Sequence, residues 1–474
     1  MERDDRLGRE MSDLLQDWSR RDFLRRTGQA GAVLAAGGGL AAFLEACGTG
    51  GGSSSTSSQV NTAGLPAVPP VPSDIVAVAK KYSGKTVTVS YNPTGLGGQA
   101  EKLYAAQFEK DTGVKVSLIV HPSSTSDQYA QYQRVFTSKA TTPDVLEIDV
   151  VYPGAFGQYL EPLDKLPLMS DLASKNFPTL IDNDTVNGKL VGMPYAGDFG
   201  LLYYRKDLLT KYGYANPPTT WQELTEQATK IQAGEKASSP NFQGFVFQGN
   251  AYEGLTCNAV EWFASSGGGH IVDNGKVTVN NSENRDMLKL AQSWIGKISP
   301  TGVTAYIEED SRNAFTSGGA AFLRNWPYVY ALAADPKNSK VVGNFGVAPL
   351  PHGNNGQSSA TIGGWQAAVN AQSAVKEASA AFIAYKSGPD IQKYHDLNTG
   401  GVPTLDSLTK DQDVLKVAPF LSLQTNRVVR PSKLGTKYNQ GSTFIFQAVN
   451  SILRGAKVED TLPPLQTQLQ GLLS

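Results

Sequence analysis

The sequence predicts an α/β protein with two lobes, preceded by an export signal and a tether. Three features predict this organisation. The chain has 474 residues, more than one typical domain uses. A strand, a helix and a second strand follow one another between Lys85 and Val120. The rest of the chain is largely helical in pattern, with short strands such as GFVFQ, AAFLRN and GNFGVAPL between the helices.

Residues 1–46 have the pattern of an export signal. SRRDFLRRTG at 19–28 is followed by an Ala/Gly-rich apolar run to Leu44 and then by LEAC, which ends at Cys47. This resembles a twin-arginine signal with a lipoprotein box, in which the Cys47 sulfur takes a diacylglycerol. A transmembrane anchor is the alternative, but three glycines at 37–39 interrupt the run, and about 17 residues is at the short limit for a span. We expect an extracytoplasmic protein attached to the membrane through lipidated Cys47.

Residues 47–83 are predicted to be a flexible tether. After Cys47 they read GTGGGSSSTSS and continue, further on, with AVPPVP. Glycine, serine and proline at this density do not bury a core.

The globular body begins with a parallel crossover unit. KTVTVSY at 85–91 alternates as a strand does, EKLYAAQFEKDTG reads as a helix stopped by Gly113, and VKVSLIV at 114–120 is the next strand. A second unit leads through a predicted helix, TSDQYAQYQRVFTSKA, to the strand DVLEIDVVY at 144–152. Ligands of open α/β sheets lie beyond the carboxyl ends of strands, which is where Asp149 falls.

Composition excludes several classes of partner and site. Lys and Arg total 42 against 43 Asp and Glu, a net charge of -1, so a nucleic-acid partner is not predicted. The only cysteines are Cys47 and Cys257, which excludes a disulfide framework. The four histidines lie singly, without the spacing of metal ligands. We therefore predict no metal site and no cofactor.

Several longer runs resemble a known family. They include PPTTWQELTEQATKIQAG at 217–234, AAFLRNWPY at 320–328 and GGWQAAVN at 363–370. Together they resemble the extracellular solute-binding proteins of sugar ABC importers, in particular the trehalose/maltose-binding proteins. The resemblance implies a two-lobed periplasmic-binding-protein-like fold of type II with hinge strands between the lobes. The predicted boundaries are 84–195 with 366–410 for lobe 1, and 196–365 with 411–474 for lobe 2.

The resemblance also implies a carbohydrate site. Such a site uses carboxylates and an arginine to bond hydroxyls, and aromatic rings to cover the apolar faces of the sugar. The residues that match the family's site are Asp149, Asp198, Glu253, Trp326, Gly364, Trp365 and Arg430.

Most of these residues also have an ordinary structural explanation. An aspartate at a strand end such as Asp149 can cap a turn, and a lone tryptophan is more often a core residue. Glu253 stands next to a glycine, where an acid is as often structural. Arg427 is an alternative to Arg430 as the arginine that reaches the ligand.

The stretch GGWQ allows two interpretations. Gly364 before Trp365 leaves the backbone bare, so that a sugar can lie on the indole and bond a main-chain N–H. A turn before a core strand would contain the same glycines.

The implied function is capture of a di- or oligosaccharide by lobe closure and its delivery to an ABC permease in the membrane. We expect a monomer without catalytic activity. Two alternatives are a solute-binding protein for a non-sugar ligand and a surface glycoside hydrolase that pairs Asp149 with Asp198.

Overall fold

The computed structural model describes residues 64–473, so the signal at 1–46 and Cys47 lie outside the described residues. The strands are β1 (Thr86–Tyr91), β2 (Lys115–Val120), β3 (Val145–Asp149), β4 (Thr185–Val186), β5 (Lys189–Leu190), β6 (Met193–Phe199), β7 (Leu201–Arg205), β8 (Gln243–Val246), β9 (Val272–Asp273), β10 (Lys276–Val277), β11 (Ala320–Asn325), β12 (Phe345–Ala348), β13 (Ser359–Val369) and β14 (Asn426–Val428).

The helices pack around these strands. They are α1 (Ser73–Ala79), α2 (Gly95–Thr112), α3 (Thr125–Thr137), α4 (Pro153–Phe156), α5 (Met169–Lys175), α6 (Pro178–Asn183), α7 (Lys206–Lys211), α8 (Trp221–Glu235), α9 (Glu253–Ser265), α10 (Ser282–Trp294), α11 (Glu308–Thr316), α12 (Tyr328–Ala334), α13 (Lys376–Ser387), α14 (Pro389–Thr399), α15 (Gln412–Val417), α16 (Tyr438–Leu453) and α17 (Val458–Leu472). Within residues 64–473, no helix combines the length and the apolar character that a membrane span requires.

The larger sheet contains the predicted crossover units. Its strand order is β14, β13, β3, β1, β2, and β6 also pairs with β13. β1 runs parallel to β2 and β3, as predicted. α2 ends at Thr112 and is capped by Gly113, whose φ of 75° is left-handed. β13 runs antiparallel to both β3 and β6. Because these strands lie side by side, residues at the end of β3 and in β6 and β13 meet at one edge of the sheet.

The smaller sheet forms a second core. Its order is β12, β7, β11, β8, and it includes the short strands that the sequence predicts. Trp221, Trp262 and Trp294 are buried in this core. Two of them are capped by polar partners, since the Trp221 indole donates to Ser265 Oγ at 2.9 Å and the Trp294 indole to Thr225 Oγ1 at 2.8 Å.

Two strand segments join the two cores. The chain leaves the larger sheet at Phe199 and enters the smaller one at Leu201. Between them, a Cβ on Gly200 would lie 2.0 Å from Glu261 Oε1, so only glycine fits there. β13 crosses as well: Ala360 packs in the core of the smaller sheet and Ala367 in the core of the larger one. The lobe boundaries given above remain predictions.

Part of the predicted tether packs on the body. Tyr394 and Tyr385 donate hydrogen bonds to the carbonyls of Pro66 and Pro69 at 2.6 and 2.7 Å. α1 then buries Ile75 and Ala79, which share one helix face at a spacing of four. The packed body therefore begins well before residue 84, because a proline-rich segment can be held through its carbonyls.

Candidate functional site

All seven site residues predicted from the sequence line one cleft. The cleft encloses about 1230 Å³ of empty space, part of it open to solvent. The predicted residues in its lining are Asp149, Asp198, Glu253, Trp326, Gly364, Trp365 and Arg430. The larger sheet and the elements around the smaller sheet both contribute to this lining.

Strand register explains why residues far apart in sequence meet. Asp149, the last residue of β3, stands opposite Trp365 of β13. Asp198 of β6 stands opposite Gly363 on the other side of β13. Trp326 directly follows β11, and Glu253 is the first residue of α9.

Arg430 is the centre of a buried ion network. It forms a two-pronged pair with Asp149, in which Nη1 donates to Oδ2 at 3.1 Å and Nη2 donates to Oδ1. Nη1 also donates to Glu253 Oε1 at 2.9 Å. Arg430, rather than the exposed Arg427, therefore lies in the cleft. Its Nε is buried and has no hydrogen-bond partner among residues 64–473, which leaves the Nε–H to donate to a ligand.

The Glu253 carboxylate accepts hydrogen bonds from three side chains in the described part of the protein. Besides Arg430, it accepts hydrogen bonds from the Tyr438 hydroxyl and, at 2.6 Å, from Ser442 Oγ. Burial raises the pKa of Glu253, and the charge of Arg430 opposes that shift. The geometry therefore favours the structural alternative for Glu253, as a residue that positions Arg430.

Asp198 is the most available carboxylate of the predicted set. It is half-buried, and its carboxylate has no hydrogen-bond or ion-pair partner among the described residues. Burial raises the pKa of Asp198 to about 7, opposed by Arg324 and reinforced by the carboxylates of Asp149 and Glu308. A ligand that donates hydrogen bonds here would satisfy an otherwise unpaired acceptor.

The Trp326 indole is fixed on one face. The Arg324 guanidinium lies 4.0 Å from the ring centroid, and Arg324 itself is held by Glu261, with Nε donating at 2.8 Å. The indole N–H donates to Glu308 Oε1 at 3.4 Å. These contacts orient the ring without covering all of it, since Trp326 is only half-buried.

The glycines before Trp365 are explained by strand packing. They lie inside β13, so the turn alternative does not hold. Gly364 has a φ of 139°, and a Cβ there would lie 2.7 Å from the Ala196 carbonyl oxygen. A Cβ on Gly363 would lie 3.0 Å from Asp198 Cβ and 3.2 Å from the Trp326 ring. Gly364 lines the cleft, but the absence of a side chain there is explained by the close approach of β6. At Gly363, the absence of a side chain leaves space for Asp198 and Trp326.

Sequence reasoning missed a second group of polar residues in the lining. Glu147 lies two residues before Asp149 and so faces the same side of β3, a signal that the strand period contains. Tyr195 donates to Glu147 Oε2 at 2.5 Å, and Lys386 Nζ lies 3.9 Å from the Tyr195 ring centroid. Glu101 and His395 also line the cleft, and no short-range pattern joins these two residues.

Comparison with known proteins decides the family. The family model described as bacterial extracellular solute-binding protein matches residues 92–393. The chain belongs to this family. The solute-binding protein is 44% identical over 404 residues to a Deinococcus radiodurans protein named "Probable ABC transporter-binding protein", covering 84% of this chain and 95% of that one.

Solved structures agree on the fold. A maltose-bound structure of T. maritima MalE3 is 35% identical, with a TM-score of 0.77, and the match covers 82% of this chain and 100% of that chain. A solute-binding protein from Agrobacterium radiobacter K84 in complex with ribitol is 25% identical, with a TM-score of 0.71 and coverage of 82% and 99%. The predicted two-lobed periplasmic-binding-protein-like fold and the resemblance to the solute-binding proteins of sugar importers are confirmed. The chain is a solute-binding component of an ABC transporter.

Proposed function

We propose that this solute-binding protein captures a di- or oligosaccharide of the trehalose or maltose type and delivers it to its permease, without chemical change of the sugar. The observation that carries the proposal is the composition of one cleft. Two half-buried indoles, an unpaired carboxylate and a buried arginine whose Nε has no partner among residues 64–473 line the same space. The maltose in the MalE3 structure supports the same class of ligand.

Each group matches one property of a saccharide. Trp326 and Trp365 offer aromatic surface to the apolar C–H faces of sugar rings, as cleft sites for small ligands commonly do. The carboxylate of Asp198 accepts hydrogen bonds from hydroxyls, and Arg430 Nε donates to a hydroxyl oxygen. Asp149 caps a turn, since Oδ1 accepts from the Val151 N–H at 3.2 Å. It also lines the cleft, and within residues 64–473 its Oδ2 is bonded only to Arg430, so we retain it as a ligand contact.

Closure of the two lobes would follow from a ligand site that both lobes line. The open form lets sugar enter, and a saccharide held by residues of both lobes binds the closed form more tightly than the open one. That difference in affinity shifts the population toward closure. The permease then recognises the closed form.

The experiment is a binding screen followed by scattering. Thermal shift and calorimetry of the mature protein are run against maltose, trehalose, maltotriose, glucosides, polyols, amino acids and amines. We expect a raised melting temperature with one or more di- or oligosaccharides. Small-angle scattering with that sugar is expected to show a monomer that becomes more compact. Hits confined to amines or amino acids, or release of hydrolysed sugar, would contradict the proposal.

Binding is expected to weaken as the pH falls through 7. Burial raises the pKa of Asp198 to about 7, and only the ionised carboxylate accepts hydrogen bonds with both oxygens. A saccharide that prefers the ionised form should lose affinity by up to about tenfold between pH 8 and pH 6. Calorimetry at both pH values measures this change. Asp198→Asn should bind more weakly at pH 8 and lose most of the pH dependence; equal slopes for the variant and the wild-type protein would exclude Asp198 as the cause.

We also propose that Cys47 anchors the protein to the outer face of the membrane after export. The support is the run from SRRDFLRRTG to LEAC and the family's extracellular location. Cys47→Ser is expected to abolish incorporation of a labelled fatty acid and to release the protein from the membrane fraction. Labelling of the variant equal to that of the wild-type protein would refute the anchor.

A further inference from the structure

We propose that the cleft has a second polar subsite, formed by Glu101 and His395, that takes a neutral hydroxyl group of the saccharide. The inference rests on the proposed function and names residues outside the set predicted from the sequence. The subsite would determine specificity among sugars, because a sugar without a hydroxyl at the matching position would leave the polar groups of the subsite unpaired and bind more weakly.

Glu101 has an unsatisfied oxygen at the cleft. It lies on α2, its side chain is buried, and it is part of the cleft lining. Oε2 pairs with Lys386 Nζ at 2.9 Å, whereas Oε1 is buried and has no hydrogen-bond partner among residues 64–473. Buried carboxylate oxygens are rarely left unbonded, because an unmade bond costs the full desolvation of the group. A donor supplied by the ligand would complete it.

The charges around Glu101 disfavour an anionic group of the ligand. Lys386 is shared with Glu147, whose Oε2 lies 3.3 Å from Nζ. Two carboxylates share one ammonium here, so a ligand anion next to Glu101 Oε1 would be repelled, and Lys386 already occupies the position of a cation between them. A hydroxyl of the saccharide avoids that repulsion and can donate a hydrogen bond to Oε1.

His395 adds a group that can donate or accept. It lines the cleft, and its Nδ1 lies 3.4 Å from the Tyr104 hydroxyl. Burial, helped by the charge of Lys386, lowers the pKa of His395 to about 4, so the imidazole is neutral at pH 7. Its ring is closely packed, since a Cβ on Gly97 would lie 3.3 Å from Cε1 and one on Gly401 2.4 Å from Cδ2. Tyr104 links the two groups, because its hydroxyl contacts His395 and its pKa is raised by burial and by the charge of Glu101. A neutral imidazole and a carboxylate oxygen in one cleft suit a hydroxyl, which both donates and accepts.

The test is calorimetry with maltose, trehalose and maltotriose on four proteins. They are the wild-type protein, Glu101→Gln, Asp198→Asn and Glu161→Gln. Glu161→Gln is the matched control, because Glu161 pairs with Lys376 at 2.7 Å without lining the cleft. In Glu101→Gln the amide oxygen is expected to accept from Lys386. The amide NH₂ then takes the place of Oε1, so that a donor faces the ligand hydroxyl where the wild-type protein has an acceptor. If that variant fails to fold, His395→Asn replaces it.

We expect Glu101→Gln to weaken binding by about tenfold or more, while Glu161→Gln stays within about twofold, the range of a surface substitution. Deoxy analogues of the sugar should identify one hydroxyl whose removal lowers the affinity of the wild-type protein but not that of Glu101→Gln. Normal affinity of Glu101→Gln, or of His395→Asn where it replaces that variant, together with weaker binding by Asp198→Asn, would overturn the subsite and leave the proposed function standing. A wild-type protein that binds no saccharide would overturn both.

Discussion

Replacing Trp365 with alanine is expected to weaken saccharide binding roughly thirtyfold or more, a loss of about 2 kcal/mol. Trp365 is half-buried, lies in the cleft and stands opposite Asp149 in the sheet. Its removal takes away the aromatic surface on which a sugar ring would lie, and it leaves a gap that water fills. Calorimetry with the best saccharide from the screen measures the loss.

A conservative variant separates ring stacking from folding. Trp365→Phe keeps a smaller aromatic face, so it should recover part of the affinity lost by Trp365→Ala. Both variants should unfold cooperatively in thermal melts, because Trp365 is not among the fully buried side chains. Unchanged affinity in Trp365→Ala would mean that the indole is a packing residue, the ordinary alternative that its sequence left open.

Replacing Arg430 with methionine is expected to lower the free energy of unfolding by about 3–5 kcal/mol. Arg430 is 3% exposed and pairs with both Asp149 and Glu253, so its loss leaves two buried carboxylates without a counter-charge. Denaturant unfolding at pH 7 measures the change. The loss should be smaller at pH 5, because burial already raises the pKa of Glu253 and removal of Arg430 raises it further, so that protonation removes one charge.

Two companion variants sharpen this prediction. Arg427→Met changes an exposed arginine whose guanidinium lies 3.3 Å from the Phe199 ring centroid, so it should cost about 1 kcal/mol or less. Adding Glu253→Gln to Arg430→Met should restore part of the stability by removing one of the unpaired charges. Equal losses for Arg427→Met and Arg430→Met would contradict the buried network.

The sequence predicts the fold best where the pattern is local. The alternation of KTVTVSY and the Gly113 stop are properties of neighbouring residues, and β1, α2 and β2 follow them closely. The segment before residue 84 is less predictable, because Pro66 and Pro69 are held by tyrosines more than 300 residues away. Composition alone describes that segment as a tether.

For the candidate site too, the sequence predicts some features and leaves out those that depend on long-range packing. The family resemblance brings seven residues to one cleft, but it does not give their partners. Glu253 matches the family's site, yet its carboxylate is held by Arg430, Tyr438 and Ser442. Glu101 and Lys386 are 285 residues apart and meet only through the packing of α2 against α13. Long-range ion pairs of this kind have no periodic signal in a single sequence.

A crystal structure of the protein with the best saccharide from the screen tests the central claim most directly. We predict one saccharide in the cleft, with a ring on the Trp365 indole and hydroxyls within hydrogen-bond distance of Asp198 and of Arg430 Nε. Sugar density outside the cleft, or a sugar in the cleft that touches none of these three residues, would contradict the account.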